Sequence, residues 1–122
     1  MTAPGLMLCD DLIFFSRVAG TARAAGLVVK QVRTASALQE LAKSDPPGGV
    51  LLDLHHEGLD LPELLVGLRE ACTAMPRIVA FGSHVEAEIL RAAREAGCDL
   101  VLPRSQFVKL LETSLKEWLT PS

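Results

Sequence analysis

Two short apolar runs in this chain end in carboxylates. Residues 6–9 lead into Asp10 and Asp11, and residues 50–52 lead into Asp53. Short, continuous apolar runs are typical of strands buried on both faces of a parallel sheet, and ligands of such sheets gather beyond the carboxyl ends of the strands. We therefore expect the three acids to converge at one edge, where they would suit a hard cation and offer a carboxylate to a phosphoryl group.

The elements that must position these acids alternate between strand and helix along the chain. Strands are predicted at residues 6–10, 27–32, 50–54, 77–81 and 99–102. Helices are predicted at residues 12–25, 35–43, from 62 onwards, 85–96 and 105–119. Repeated β-α-β units with right-handed crossovers give an open parallel sheet with helices on both faces. The predicted fold is α/β, a flavodoxin-like, doubly wound, five-stranded parallel sheet of the (βα)5 type.

Length and composition limit the class of protein. A chain of 122 residues fits one domain, 1–122, that can bury an ordinary core without disulfides or metal. The net charge of −3 gives no general attraction to nucleic acid or to an anionic membrane. The chain has no apolar stretch long enough to span a membrane and no signal-peptide pattern, so we expect a cytoplasmic protein.

Cysteines and glycines exclude two further classes of site. Cys9, Cys72 and Cys98 are odd in number, widely spaced and set among apolar neighbours, so we expect buried, reduced thiols rather than disulfides or a zinc site. The turn after the first predicted strand contains no glycine, which argues against a dinucleotide-binding or P-loop enzyme. Acids at that turn favour a cation.

These features resemble the receiver domain of bacterial two-component response regulators, the CheY-like superfamily, over nearly the whole chain. Asp10 and Asp11 are similar to the family's acidic pair, and residues 51–55 resemble the segment with its phospho-accepting aspartate, here Asp53. Further likeness lies in residues 58–65 and 96–99. The resemblance implies Mg²⁺ held by Asp10, Asp11, Asp53 and the backbone carbonyl of His55, a set that suits an ion preferring oxygen ligands.

The chain departs from the family pattern at positions that matter for signalling. The hydroxyl residue expected after the fourth strand falls on Gly82, and Ser83 stands one residue later. The expected lysine is Arg104, whose planar fork is not equivalent to a compact ammonium at a tight phosphate site. The aromatic switch position carries Val101, and the chain has no tyrosine.

The resemblance therefore implies a pseudo-receiver, a signalling module that acts through protein contacts without the standard phosphorylation relay. The alternative is a receiver phosphorylated on Asp53 with Mg²⁺, using Ser83 and Arg104 in an altered switch; its only enzyme activity would be receiver-type autophosphorylation and autodephosphorylation. A third alternative is an unrelated function on the same fold. The implied partners are a sensor kinase, an output protein, a second receiver or a second copy of the chain, with no direct contact to nucleic acid or membrane.

The acids also have structural interpretations. Asp11 is a favoured residue type for capping a helix that begins near residue 12. Asp10 follows a buried strand and should have a cation or a hydrogen-bond donor nearby, because an unpaired buried carboxylate is costly. Asp53 could form an ion pair with Arg104, which would then act as a built-in counter-ion.

Histidines and the single tryptophan have structural interpretations too. His55 and His56 beside acids would suit zinc or copper, but adjacent residues at a strand end point in opposite directions and exposed loop histidines are commoner. Ser83 and His84 lack the Gly-x-Ser-x-Gly pattern of a hydrolase. Trp118 is either docked on the domain or exposed as an anchor for a partner.

Overall fold

Five strands alternate with five helices in a computed structural model that describes residues 3–121. The strands are β1 (Gly5–Leu8), β2 (Val29–Val32), β3 (Gly49–Asp53), β4 (Arg77–Gly82) and β5 (Leu100–Pro103). The helices are α1 (Leu12–Ala24), α2 (Ala35–Ser44), α3 (Leu61–Ala71), α4 (Ala87–Ala96) and α5 (Arg104–Trp118). The predicted order of elements is confirmed, with ends shifted by a few residues. None of the helices described is long and apolar enough to cross a membrane.

The sheet is parallel throughout, in the order β2-β1-β3-β4-β5. Neighbours β1 and β3 are in register, with Leu8 opposite Leu52, and Asp53 at the end of β3 lies opposite Phe81 of β4. β2 lies on one side of β1, and β3, β4 and β5 follow on the other side. The switch point of the topology is therefore between β1 and β3, and doubly wound sheets bind ligands at such a point. The predicted flavodoxin-like fold is confirmed.

Two apolar layers cover the two faces of the sheet. One layer packs α2, α3 and α4 on strand residues such as Leu6 and Leu8, and the other packs α1 and α5 on Met7 and Cys9. This alternation follows from the two-residue period of a strand. Both faces are therefore buried, which explains why the strands read as continuous apolar runs.

Aromatic rings form a connected stack in the layer of α1 and α5. Ring centroids of Phe14 and Phe81 are 5.3 Å apart, those of Phe81 and Phe107 are 4.4 Å apart, and those of Phe107 and Trp118 are 5.1 Å apart. Trp118 is 3% exposed. Trp118 is therefore packed on its own domain and is not exposed as an anchor for a partner.

The carboxyl end of α5 packs against the amino edge of the sheet. A Cβ atom added to Gly49 would collide with the carbonyl oxygen of Trp118, and one added to Gly48 would collide with that of Leu119. Arg77 Nε donates a hydrogen bond to the carbonyl of Thr120 over 3.2 Å. Glycine is required at residues 48 and 49 because backbone lies directly against them.

The three cysteines are free thiols. Cys9 and Cys72 are buried, as predicted, but Cys98 is half-buried, so the expectation of full burial is wrong there. Cys98 follows Gly97, whose φ of 109° ends α4, and this turn brings the residue close to the surface.

Candidate functional site

Asp10, Asp11 and Asp53 lie at one edge of the sheet, as predicted, and we call this region the carboxyl edge. Asp53 is the half-buried last residue of β3, whereas Asp10 and Asp11 follow the end of β1 and are exposed. β1 ends at Leu8, two residues earlier than predicted, so both acids belong to the loop before α1. The sheet brings the three acids to the same edge but places them in different local environments.

Asp11 is the N-cap of α1, which confirms the predicted capping role. Its side chain accepts a hydrogen bond of 2.9 Å from Phe14 N–H, one of the amides left unpaired at a helix start. Its Oδ2 atom lies 3.3 Å from a guanidinium nitrogen of Arg104. The Phe14 amide first, and Arg104 as well, lower the pKa of the Asp11 carboxyl. Asp11 is therefore held as a carboxylate by contacts inside the protein.

Arg104 pairs with Asp11, and the alternative ion pair with Asp53 is absent from residues 3–121. Arg104 is the first residue of α5, and its guanidinium carbon lies 4.0 Å from the centroid of the Phe14 ring. Contact with an aromatic face favours a cation. The Phe14 ring thus stabilises the Arg104 side chain in a position beside Asp11 rather than beside Asp53 at the end of β3.

Asp10 has a donor beside it, as expected for its position after a buried strand. Its Oδ2 atom lies 3.3 Å from Nε2 of His56, and the same nitrogen lies 2.7 Å from the carbonyl oxygen of Arg33. Both partners are acceptors, so Nε2 of His56 must carry a hydrogen. The His56 side chain is only 9% exposed, so the expectation of an exposed loop histidine is wrong here.

Asp53 and His55 form a turn at the end of β3. One carboxylate oxygen of Asp53 accepts a 2.9 Å hydrogen bond from His55 N–H. The His55 ring points away from His56 and accepts a 2.8 Å hydrogen bond at Nε2 from Ser83 N–H. Nε2 of His55 therefore carries no hydrogen, whereas Nε2 of His56 carries one, so the two adjacent histidines differ at this nitrogen.

The positions that depart from the receiver pattern lie after β4 and in β5. Gly82 is buried at the end of β4 and offers no hydroxyl. The Ser83 hydroxyl accepts a 3.3 Å hydrogen bond from Val85 N–H, so it is engaged in its own turn. Val101 is buried in β5 at 5% exposure. Residue 82 therefore has no hydroxyl and residue 101 has no aromatic ring, whereas the Ser83 hydroxyl keeps a hydrogen that it can donate.

The acids of the carboxyl edge are not gathered into one group of metal ligands in this structure. In the part of the chain from 3 to 121, no group of three or more His, Cys, Asp or Glu residues is placed to hold a metal ion. Mg²⁺ requires near-octahedral oxygen coordination, whereas Asp10, Asp11 and Asp53 each contact a different group of the protein. Metal binding by these acids and the His55 carbonyl stays a prediction, as does the zinc or copper hypothesis.

Three participants in the site were missed by reasoning from the sequence. They are the Phe14 ring under Arg104, the Arg33 carbonyl beside His56, and the Ser83 amide beside His55. Only Phe14 had a local signal, because it stands three residues after an N-cap acid. The other two contacts join loops that are distant in sequence.

The strand order and the acidic carboxyl edge define a flavodoxin-like domain of the kind that binds ligands at its switch point. No family model and no curated protein matches the chain. Solved structures with the same fold include the receiver domain of NtrX from Brucella abortus, with a TM-score of 0.78 and 20% identity over 94% of this chain and 97% of that one.

Two further structures share the fold. The receiver domain of the TMAO respiratory system response regulator TorR has a TM-score of 0.76 and 17% identity, covering 95% of this chain and 98% of that one. A response regulator from Burkholderia pseudomallei, solved with a phosphorylated aspartic acid, a calcium ion and citrate, has a TM-score of 0.72 and 19% identity, covering 94% and 69%. The chain has the receiver-domain fold of response regulators.

Proposed function

We propose that this chain is a receiver-like signalling module that acts through contacts with other proteins and does not use the standard phosphorylation relay. The likeness to receiver domains supports the module. The observation that carries the rest is that each acid of the carboxyl edge is already engaged: Asp10 by His56, Asp11 by Arg104, and Asp53 by its own turn.

Arg104 is central to this proposal because its charge is permanent. A guanidinium stays protonated at any physiological pH, and this one is held by both Asp11 and the Phe14 ring. A divalent cation at the carboxyl edge would have to displace the guanidinium or lie beside a like charge. The engaged edge therefore favours a form of the domain that is complete without metal or phosphate.

The alternative function, phosphorylation on Asp53 with Mg²⁺, also has an observation in its favour. Asp53 forms no ion pair with any residue between 3 and 121, and a single described hydrogen bond, from His55 N–H, reaches its carboxylate. Its position at the end of a central strand leaves a carboxylate oxygen for a phosphoryl group. Under this alternative, Gly82, Ser83 and Arg104 would form the altered switch.

Amide NMR spectra before and after Mg²⁺ and beryllofluoride, a phosphoryl mimic, distinguish the two functions. We expect no shifts at Asp10, Asp53 or Ser83 in the wild-type protein. Shifts at these residues that vanish in Asp53→Asn would overturn the proposal and establish a phosphate pocket. Asp53→Asn is a matched control because it preserves size and an acceptor oxygen while removing the charge.

Partners of the module are proteins under this proposal, namely a sensor kinase, an output protein or a second receiver, in the cytoplasm and without direct contact to nucleic acid or membrane. The exposed faces of α4 and α5 carry both signs of charge, including Glu88, Arg91, Lys109 and Glu112. Mixed charge gives no general attraction to a polyanion, and alternating signs are typical of a solvated face. Sedimentation equilibrium tests pairing with a second copy, which would appear as a mass that rises with concentration.

A further inference from the structure

A hydrogen bond between two loops closes the carboxyl edge beside Asp53, and we call this contact, from Ser83 N–H to His55 Nε2, the His55 clasp. Its length is 2.8 Å. Strand pairing positions the two loops for this contact. Leu54 N–H donates to the Phe81 carbonyl over 3.0 Å and thereby holds the ends of β3 and β4 together. The Asp53 carboxylate then fixes the backbone of His55 through a 2.9 Å hydrogen bond. Strand pairing and the turn together direct the ring toward the loop after β4.

Gly82 provides the space that the His55 ring occupies. A Cβ atom at Gly82 would lie 3.2 Å from His55 Nε2 and 3.3 Å from Leu90 Cδ2, both tighter than ordinary contacts. Positive φ values in the described chain occur at Gly26, Gly58 and Gly97, so residue 82 needs room rather than an unusual backbone conformation. A side chain at residue 82 and the imidazole of His55 therefore compete for one position.

The Ser83 amide is the group that the clasp makes unavailable. A backbone N–H has one hydrogen to donate, and backbone amides at the ends of elements are effective ligands for oxyanions. The Ser83 hydroxyl accepts from Val85 N–H and is a separate group from this amide. An oxyanion seated on Asp53 could therefore use the Ser83 amide only after the imidazole has left it.

We propose that His55 is an internal ligand of the carboxyl edge and that the His55 clasp withholds the Ser83 amide from a phosphoryl-type oxyanion on Asp53. This inference rests on the proposed function and deepens it, because it names the side chain that closes the edge at Asp53, the acid with no ion-pair partner among residues 3–121. The contact is autoinhibitory. Removal of the imidazole opens the edge, whereas removal of a neighbouring imidazole outside the clasp does not.

Amide NMR on four proteins, the wild type, His55→Ala, His55→Gln and His84→Ala, tests the clasp directly. Residue 55 is exposed, so truncation there leaves the core intact. Glutamine retains an acceptor oxygen that can replace Nε2, and the exposed His84 is the matched control in the adjoining loop. We expect the Ser83 amide to exchange about tenfold faster in His55→Ala, as for the loss of one hydrogen bond, and to be unchanged in the other two variants.

The same four proteins are then titrated with beryllofluoride in the presence of Mg²⁺. We expect a Ser83 shift in His55→Ala that disappears in the double variant His55→Ala with Asp53→Asn, and no shift in the other three proteins. Faster exchange in His55→Ala without a beryllofluoride shift would overturn the clasp and leave the proposed function standing. Unchanged exchange, or a shift in His84→Ala alone, would also overturn the clasp. A shift in the wild type would overturn both proposals.

Discussion

The guanidinium of Arg104 lies over the ring of Phe14, with 4.0 Å between the guanidinium carbon and the ring centroid. Arg104 begins α5 and Phe14 lies in the first turn of α1, so the contact joins the starts of two helices. Asp11 completes the arrangement, because it accepts from the Phe14 amide and pairs with Arg104. A cation of the protein itself thus occupies the place beside Asp11 where the sequence led us to expect a metal.

Replacing Arg104 by alanine should destabilise the domain, because the contact with Phe14 and the pairing with Asp11 are lost together. The cation–π contact alone corresponds to about 0.5–1 kcal/mol at an exposed site. Urea denaturation followed by circular dichroism measures the difference. Arg91→Ala is the matched control, since the ion pair of Arg91 is with Glu88 on the exposed face of α4, and it should change stability by less than about 0.5 kcal/mol. Equal losses in the two variants would contradict a special role for Arg104.

The Asp11 carboxylate should make stability depend on pH in the acid range. Its pKa lies below the ordinary value of 3.8 because the Phe14 amide and Arg104 favour the charged form. Its contribution is therefore full above about pH 4 and is lost as the pH falls through the folded-state pKa. The melting temperature of Asp11→Asn should be below that of the wild type at about pH 7, and the gap should close toward about pH 2. A gap that is constant with pH would rule out this role for the charge.

The Cys98 thiol should resist alkylation in the folded protein. Burial, and then the Asp99 carboxylate, raise its pKa from 9.0 to about 11. At about pH 8 the thiolate fraction is then about a hundredfold lower than in the unfolded chain, so iodoacetamide should react correspondingly slowly until urea is added. The raised pKa also makes the contribution of Cys98 to stability full below about pH 9 and smaller as the pH rises toward 11. Equal alkylation rates in the folded and unfolded protein would contradict the prediction.

Gly49→Ala should destabilise the domain strongly, because the new methyl group would collide with the backbone of Trp118 and Leu119. Forcing atoms into a packed interior costs about 1–3 kcal/mol. The same substitution at Gly20, in α1, is the matched control. A Cβ there has nothing within 4 Å, and alanine in place of glycine favours a helix by about 0.5–1 kcal/mol. Thermal melts should therefore shift in opposite directions, and two shifts of the same sign would contradict the packing described here.

Much of the fold could be predicted because local signals and the sheet agree. Pro62 lies in the first turn of α3 and Gly97 ends α4 with a φ of 109°, as their residue types indicated. The start of α4 was predicted two residues too early. Ser83 holds that segment in a turn, since its hydroxyl accepts from Val85 N–H and its carbonyl accepts from Glu86 N–H. Such turn hydrogen bonds compete with a helix and leave little trace in an apolar pattern.

The sequence predicted which acids share the carboxyl edge, but it predicted their contacts only where those contacts are local. The capping role of Asp11 follows from its own position, three residues before the amide it binds. The partner of Arg104 is 93 residues away, and choosing between Asp11 and Asp53 required the position of the Phe14 ring. Strand alternation predicted that His55 and His56 diverge, but which groups they meet depends on loops after β2 and β4.

The aromatic stack gives this domain a built-in optical probe of one apolar layer. The chain has one tryptophan and no tyrosine, so its ultraviolet emission comes mainly from Trp118. That ring is packed with α1 and α5, whereas α2, α3 and α4 cover the opposite face. Urea transitions followed by emission and by far-ultraviolet circular dichroism therefore compare one layer with the whole domain. Coincident curves would mean that the sheet couples its two faces into a single cooperative unit.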